Sequence, residues 1–448
     1  MVLLLYAYCV GIPSSRRIER ACWEDAAFRV LTGNQQPDHS RISDFRRVHL
    51  DALTGLFVQV LRLCQKAGLV NLGTVALDGT KIKANASKHK AMSHKRMLKA
   101  EAQLEEEIAA LLRKAELIDA QEDQRYGKSK RGDELPKELR RRQDRIQVLR
   151  KAKAELEAEA AADHARERER KARCAEQQAA EAQASANEAT AQAEAAKIRA
   201  NAARRARAAR QRAEAAKALA LQKAEAAGQP IPDLEPQIDP QAMPSRNLPT
   251  NAAGEVKGKA QRNFTDPDSH ILKGGDGWIQ GYNCQMAVDG AHQVIVAVGI
   301  SNQASDTPHL LPMLERILSN TGQLPDKLLA DAGYCSTDTI EGCEQRQLDA
   351  YISTGRQRHG KRPRPSRGPA PRDLDARGRM DRKIRSKAGQ AIYALRKIIA
   401  EPVFGQIKAA RGLDRFLLRG TEKTFGELNL MAITHNLLKL HRAALNPA

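Results

Sequence analysis

Apolar residues along the first seventy positions recur at helical spacing. Behind Ser14 and Ser15, either of which can cap a helix, Ile18, Cys22, Ala26 and Val30 step by four until Gly33-Asn34 breaks the run. The turn Pro37-Asp38-His39-Ser40 caps the next helix, whose stripe is Ile42, Phe45, Val48, Ala52 and Leu56; His39 reads as a turn residue. The pattern then changes. Thr74-Val75-Ala76-Leu77-Asp78 is a short apolar run closed by Gly79-Thr80, which predicts a central strand delivering Asp78 at its C-terminal end.

Residues 88–227 return to helical spacing. Leu104, Ile108, Leu111, Ala115 and Ile118 follow a heptad seam, Gly127, Gly132 and Pro136 interrupt it, and Leu139, Ile146, Leu149 and Leu156 resume it. An antiparallel helical hairpin follows from that pattern. Beyond residue 157 the seam is almost all alanine, so burial per turn is small and a lone, charge-rich, partly frayed helix is expected. Residues 228–262 carry Pro230, Pro232, Pro236, Pro240, Pro244 and Pro249 and read as a linker without a packed core.

From 276 the pattern is again that of a folded core. Trp278 to Val288 and Gln293 to Ile300 flank the turn Asp289-Gly290-Ala291-His292 and predict a hairpin. Asp306 and Thr307 can cap a helix bearing Leu310, Leu311, Leu314 and Ile317. Lys327-Leu328-Leu329-Ala330-Asp331 is a second short strand ending in aspartate, followed by a helix from Thr337 and a strand over 348–352. Residues 355–387 form an Arg/Pro/Gly loop, and 389–411 and 423–443 are helical in pattern. The expected domains are an N-terminal helical region (1–70), the first strand of a core (71–87), a coiled-coil or helical insertion (88–227), a proline-rich linker (228–262) and the remainder of the core (263–442).

Charge narrows the function. The 448 residues carry a net charge of +20, which favours an anionic partner, nucleic acid above all. The 355–387 loop alone holds 13 Lys/Arg against 3 Asp. Arg356, Arg358, Lys361, Arg362 and Arg364 are therefore expected to contact DNA phosphates, with a solvated tail as the plainer reading. Seven scattered cysteines without a CxxC pair fit neither a disulfide framework nor a zinc site and point to a reducing cytoplasm. The apolar start, Met1 to Val10, lacks a basic lead-in and is too short to cross a membrane, so no membrane partner is expected.

Two strands end in aspartate and a late helix carries Glu401. An aspartate after a strand is by itself usually a turn or cap residue. Two of them on adjacent strands repel each other, an arrangement that suits hard cations, and two Mg²⁺ ions on carboxylates suit attack at a phosphodiester. With 88–262 set aside as an insertion, the elements run strand, strand, strand, helix, strand, helix, strand, helix, an α/β pattern. Pro402 biases Glu401 away from helical geometry, so a kink is expected to aim Glu401 at the sheet edge. The competing acid, Glu427, reads as a surface or helix-start residue, and His435-Asn436 as packing residues.

Leu77-Asp78-Gly79-Thr80-Lys81, Ala330-Asp331-Ala332-Gly333-Tyr334, and Tyr393, Arg396, Glu401-Pro402-Val403-Phe404-Gly405, Lys408 and Arg411-Gly412 resemble the DDE transposases of bacterial insertion sequences. Ser14 to Glu19, Pro37 through Arg46, and Ile279-Gln280-Gly281-Tyr282-Asn283 are similar to the same family. The resemblance covers roughly 1–90 and 262–440 and leaves the insertion without a signature. It implies an RNase H-like mixed sheet flanked by helices and a metal-binding triad of Asp78, Asp331 and Glu401 holding Mg²⁺ or Mn²⁺ as two ions. It also implies DNA contacts by Tyr393, Arg396 and Lys408, and a homo-oligomer working on transposon ends and target DNA. Four residues, 397–400, separate Arg396 from Glu401 where one branch of the family has three. The family usually carries further helical sequence before this start, and the uncapped Met1-Val2-Leu3-Leu4 turn fits an N-terminally truncated chain with an exposed apolar face. A non-catalytic coiled-coil nucleic-acid-binding protein would explain the charge and heptads but not the strand-end aspartates; a third reading is an inactive transposase remnant that folds poorly.

Overall fold

The computed structural model describes residues 1–126, 137–186, 192–234, 239–275, 277–355, 366, 371 and 373–445. In chain order the helices α1 (Val2–Cys9), α2 (Ser15–Glu24), α3 (Ala26–Leu31), α4 (His39–Val48) and α5 (Leu50–Lys66) precede strand β1 (Thr74–Lys83). Then come β2 (Ala91–Ser93), α6 (His94–Tyr126), α7 (Lys137–Ala186), α8 (Gln192–Ala226) and β3 (Gln261–Asn263). The remainder is β4 (His270–Gly274), β5 (Gly277–Asp289), β6 (Ile295–Ser301), α9 (Leu310–Thr321), β7 (Lys327–Ala330), α10 (Thr337–Gln345), β8 (Asp349–Ile352), α11 (Ala376–Arg385), α12 (Lys387–Phe404) and α13 (Thr421–Leu445). These fall into two compact units: Met1–Lys88 with Asp239–Arg246 and Thr265–Ala448, and His89–Ile238 with Asn247–Phe264.

The first unit is a mixed α/β fold built on a six-stranded sheet. β1 is central. It runs parallel to β7, with Leu77 opposite Ala330, and antiparallel to β5, with Lys83 opposite Gly281. β8 continues the parallel side, while β4 and β6 both pair with β5. Val75, Ala76 and Leu77 are fully buried, as befits a strand with a neighbour on each edge and helices around it. β4, which the apolar pattern did not predict, is the short stretch His270–Gly274, with only Ile271 and Leu272 apolar. β5 passes β1 so closely that a Cβ on Gly281 would collide with the Ile82 carbonyl oxygen. α9 and α13 pack on β6, α5 packs on α13, and α12 lies against β1 and β5.

The N-terminal helices differ from the simple stripes of the sequence. Asp25 ends α2 and caps α3, its carboxylate accepting from the N–H of Ala27 and Phe28, so the run of four-residue steps is split. Val30 and Val48, both expected on buried stripes, are exposed. Ile42 and Arg46 are the buried residues of α4, and α5 starts afresh at Leu50 with Leu53, Phe57, Val60 and Leu61 inward. In α1, Leu4, Ala7 and Tyr8 are buried, while Val2 and the flanking Met1 and Val10 are exposed.

Glu427 is not at the surface. It is fully buried and accepts hydrogen bonds from the Tyr8 hydroxyl at 2.9 Å and from the backbone N–H of Leu417 and Leu418. Burial raises its carboxyl above the ordinary range. Its partners explain the burial: a lone acid can leave water when several donors replace the lost hydration. His435 and Asn436 do act in packing. Asn436 exchanges two hydrogen bonds with the backbone of Ile295, and His435 contacts the Gln293 carbonyl.

Among the described residues, the second unit is built of helices and the small β2–β3 ladder. α6 and α7 meet through Met97, Leu104, Ile146, Leu149 and Leu156, with Arg150 and Lys153 paired to Glu101. The alanine-lined part is not a lone helix. α8 packs along α7 through Ala161, Ala165, Ala216 and Ala220, and Glu169, 2 % exposed, is surrounded by Arg173, Arg210 and Lys217. Alanine carries little hydrophobic signal, but its small side chain permits close helix approach and leaves cohesion to ion pairs.

The proline-rich segment has packed structure of its own. Within the first unit, Met243 lies against Gly299 and the Pro244 carbonyl accepts from Ser301 Oγ at 2.5 Å. Within the second, Leu248 and Ala260 are buried and Leu248 N–H donates to Asp163. The basic stretch 355–387 also differs from a continuous loop. Its last third is α11, which turns Ala376, Met380 and Ile384 inward and pairs Lys383 with Asp349. Arg356, Arg358, Lys361, Arg362 and Arg364 lie outside the described residues.

Candidate active site

β1 does not stop at Asp78 but continues to Lys83. What ends there is its ladder with β7: the last parallel pair is Leu77 with Ala330, and Asp78 and Asp331 are the next residues on each strand. Adjacent parallel strands therefore hold the two carboxylates side by side where the sheet opens. Each is fixed locally. Asp78 Oδ1 accepts from the Gly79 N–H at 2.9 Å, and Asp331 Oδ1 from the Gly333 N–H at 2.8 Å. Burial pushes the Asp78 carboxyl up to about 6; Arg396 opposes the shift, and Asp331 adds to it by repulsion.

α12 brings the remaining predicted residues to this edge. Arg396 Nη1 donates to Asp78 Oδ2 at 2.8 Å, with the two side chains 13 % and 15 % exposed. Its Nη2 lies 3.9 Å from Glu401 Oε1, so a single guanidinium links the first carboxylate to the third. Glu401 is 56 % exposed, the most open of the three acids. Five residues on a helix place Arg396 and Glu401 about 140° apart around the axis, which the long arginine side chain spans. Tyr393 is half-buried one turn earlier, and burial raises its phenol. Lys408 Nζ donates to Thr80 Oγ1 at 3.1 Å and to the Lys81 carbonyl at 3.2 Å.

Pro402 does not take Glu401 out of the helix. α12 runs through to Phe404, and a π-helical turn over Gly405–Ala410 follows. The proline lacks the N–H that would serve the Ile398 carbonyl four residues earlier. Gln293 supplies a replacement, its side-chain amide donating to that carbonyl at 2.8 Å. The helix survives, and the irregularity appears after the proline, where Lys408 sits. Arg411, part of the same sequence motif, is buried and donates to Thr434 in α13 instead of facing the acids.

Asp306, read from the sequence as a helix cap, lies close enough to Asp78 to repel it. Its side chain makes no cap bond to α9 or to the turn before it. Its Oδ1 accepts from Asn283, Gln285 and Lys81, at 2.7, 2.9 and 3.3 Å. Tyr334, beside Asp331, in turn hydrogen-bonds Gln285, so a buried polar network underlies the acids. The alternation of polar residues in Asn283-Cys284-Gln285 was its only signal in the sequence.

The carboxylates supply hard oxygen donors, and Gly333 leaves beside Asp331 Oδ1 a space that a Cβ would fill. Divalent Mg²⁺ or Mn²⁺ fits that donor set better than a soft metal. The triad is open: among the described residues, the possible ligands that all lie within 4.8 Å of one another are Glu19, Asp38 and His39. That group is accounted for by pairing, His39 with Glu19 at 2.9 Å and Asp38 with the Ser40 N–H. A separate concavity, lined by Asn71, Thr74, His292 and Ile398 at the start of β1, contains no carboxylate among its lining residues.

Residues 256–437 match the family model of the transposase DDE domain, and residues 1–48 match a second model, described as a transposase domain. No curated protein and no solved structure matches the chain. Asp331 and Glu401 fall inside the first matched segment, whereas Asp78 falls between the two and is joined to Asp331 by the β1–β7 pairing. With a transposase match at each end of the chain and a mixed sheet that sets Asp78 on the strand beside Asp331 of the DDE segment, the chain belongs to the insertion-sequence DDE transposase family.

Proposed function

We propose that this transposase cuts DNA at transposon ends and joins the resulting 3′-hydroxyls to target DNA, with Asp78, Asp331 and Glu401 as its metal-binding acids. The observation that carries the reading is the placement of Asp78 and Asp331 at the same level of adjacent parallel strands, with Arg396 linking Asp78 to Glu401. Bound Mg²⁺ or Mn²⁺, two ions in this reading, supplies activation of the attacking water or 3′-hydroxyl and charge stabilisation at the leaving oxygen.

The protein's own residues position the DNA. Arg396 holds Asp78 as a carboxylate against the desolvation that favours its neutral form. Tyr393, Arg396 and Lys408 form a basic and aromatic rim along α12 and the turn after it, suited to the phosphates and bases near a cut end. Arg356, Arg358, Lys361, Arg362 and Arg364 extend that rim in sequence and contribute phosphate contacts without base preference. A homo-oligomer on DNA would bring two ends together. No described helix is long and apolar enough to cross a membrane.

The test is Asp78→Ala on DNA carrying the transposon end. Mg²⁺-dependent strand cleavage is expected to disappear while DNA binding holds or tightens, since the change removes a ligand and a negative charge. Parental cleavage by the variant would reject the assignment. Replacing the five cations of 356–364 with alanine is expected to weaken binding to all sequences and flatten the log–log salt slope by about 0.9 per lost phosphate contact. An unchanged slope would return that segment to a solvated tail.

A further inference from the structure

Asp306 lies between β6 and α9, where an aspartate would ordinarily cap the helix, yet its carboxylate is spent elsewhere. Asn283 Nδ2, Gln285 Nε2 and Lys81 Nζ all donate to Oδ1. Asn283 and Gln285 are fully buried on β5. Three donors on one oxygen fix the direction of the whole group and leave Oδ2 to face something else.

Gly333 lies against Oδ2, and Gly79 against Oδ1. A Cβ on Gly333 would stand 3.2 Å from Asp306 Oδ2 and 2.9 Å from Asp331 Oδ1, so these two oxygens flank one point. On the other side, a Cβ on Gly79 would stand 3.0 Å from Asp306 Oδ1. Thus the glycine following each strand-end aspartate leaves the space that Asp306 occupies. A simple ion pair with Lys81 would require neither glycine. Nor would it bring a further negative charge toward Asp78, which Asp306 repels as Asp331 does.

We propose that Asp306 is a fourth carboxylate of the metal centre, offering Oδ2 to a divalent cation beside Asp331. The proposal rests on the reading of Asp78, Asp331 and Glu401 as metal-binding acids. Asn283, Gln285 and Lys81 then act as the outer hydrogen bonds that orient a ligating carboxylate. The same arrangement explains why a residue placed like a helix cap makes no cap bond.

The experiment is Mn²⁺ binding by the full chain without DNA, followed by the electron paramagnetic resonance of the free ion. Asp306→Asn keeps an oxygen for the three donors and turns a non-ligating amide toward Asp331. It is expected to lower Mn²⁺ affinity by about tenfold or more, with a melting temperature near that of the parent. Should that variant lose its fold, Gly333→Ala carries the same test, because its methyl group enters between the two oxygens. Parental Mn²⁺ affinity in a folded Asp306→Asn or Gly333→Ala chain, alongside a loss in Asp331→Asn, would overturn the proposal and leave the three-acid reading standing. A parent chain that takes up no Mn²⁺ would overturn both.

Discussion

The two units of this chain are held together by different means. The sheet unit buries large side chains, Leu314, Phe57, Tyr334 and Phe416 among them, around strands with neighbours on both edges. The α7–α8 part of the helical unit buries alanine and surrounds Glu169 with cations. Burial energy scales with apolar area, so each turn of the alanine seam contributes far less than each turn of α9 or α13. A rigid sheet suits a site in which carboxylates must be held at fixed spacing. An alanine-and-charge hairpin can be long without demanding a large core.

Truncation should expose the contrast most strongly. Leu314→Ala in the sheet unit is expected to cost about 2–5 kcal/mol, and Ala165→Gly in the helical unit about 1 kcal/mol. Denaturant unfolding with hydrogen exchange resolved by segment would check both, and equal losses would break the comparison. Glu427→Ala comes next. Leaving the Tyr8 hydroxyl and two backbone N–H groups unpaired in the interior should cost about 1–3 kcal/mol, partly recovered in Glu427→Gln, which keeps an acceptor. A neutral Glu427→Ala variant would return that residue to the surface role its sequence suggested.

Salt should separate the units further. The cations around Glu169 are partly exposed, so about 1 M NaCl is expected to lower the protection of α7 and α8 while sparing β1 and β7. Uniform loss in both units would contradict that assignment.

The smallest effect is on acid stability. Burial holds the His435 ring neutral, with its pKa pushed down to about 3, against the backbone carbonyl of Gln293 and with Arg411, Lys439 and Arg442 nearby. Its contribution is complete above the ordinary histidine value of 6.5 and is lost as pH falls toward 3. The parent's advantage over His435→Leu should therefore shrink between about pH 7.5 and pH 5. Glu169, held below its ordinary value despite burial by Lys217, Arg210 and Arg173, loses its contribution only as pH falls below 4.5. An advantage of His435 that grows on acidification would show the ring to be charged in the folded protein.

What could be read from the sequence follows the same division. The aspartates, the β5–β6 hairpin and the α10–β8 unit announced themselves because large apolar residues alternate or run together before a turn signal. The α7–α8 pairing did not, because an alanine seam looks weak until the partner helix is in place. β4 has too few apolar residues to show a period, and its pairing with β5 defines it. Pro402 suggested a kink because the residue that takes over the Ile398 carbonyl, Gln293, is distant in sequence. Glu427 looked exposed for the same reason, since Tyr8 is at the other end of the chain. Asp306 was hidden by ambiguity: a cap and a site carboxylate are the same residue at the same place, and only its hydrogen-bond partners distinguish them.

The central claim is that Asp78, Asp331 and Glu401 form one working centre. The direct measurement is single-turnover cleavage of transposon-end DNA in Mg²⁺ by Asp78→Asn, Asp331→Asn, Glu401→Gln and the double variant Asp78→Asn/Asp331→Asn, each with its DNA affinity. Residues that act as a unit are non-additive, so each single change is expected to remove cleavage with binding retained, and the double variant to be no worse than either of its parents. Parental cleavage by any one of the three single variants, or losses that multiply in the double, would contradict the account.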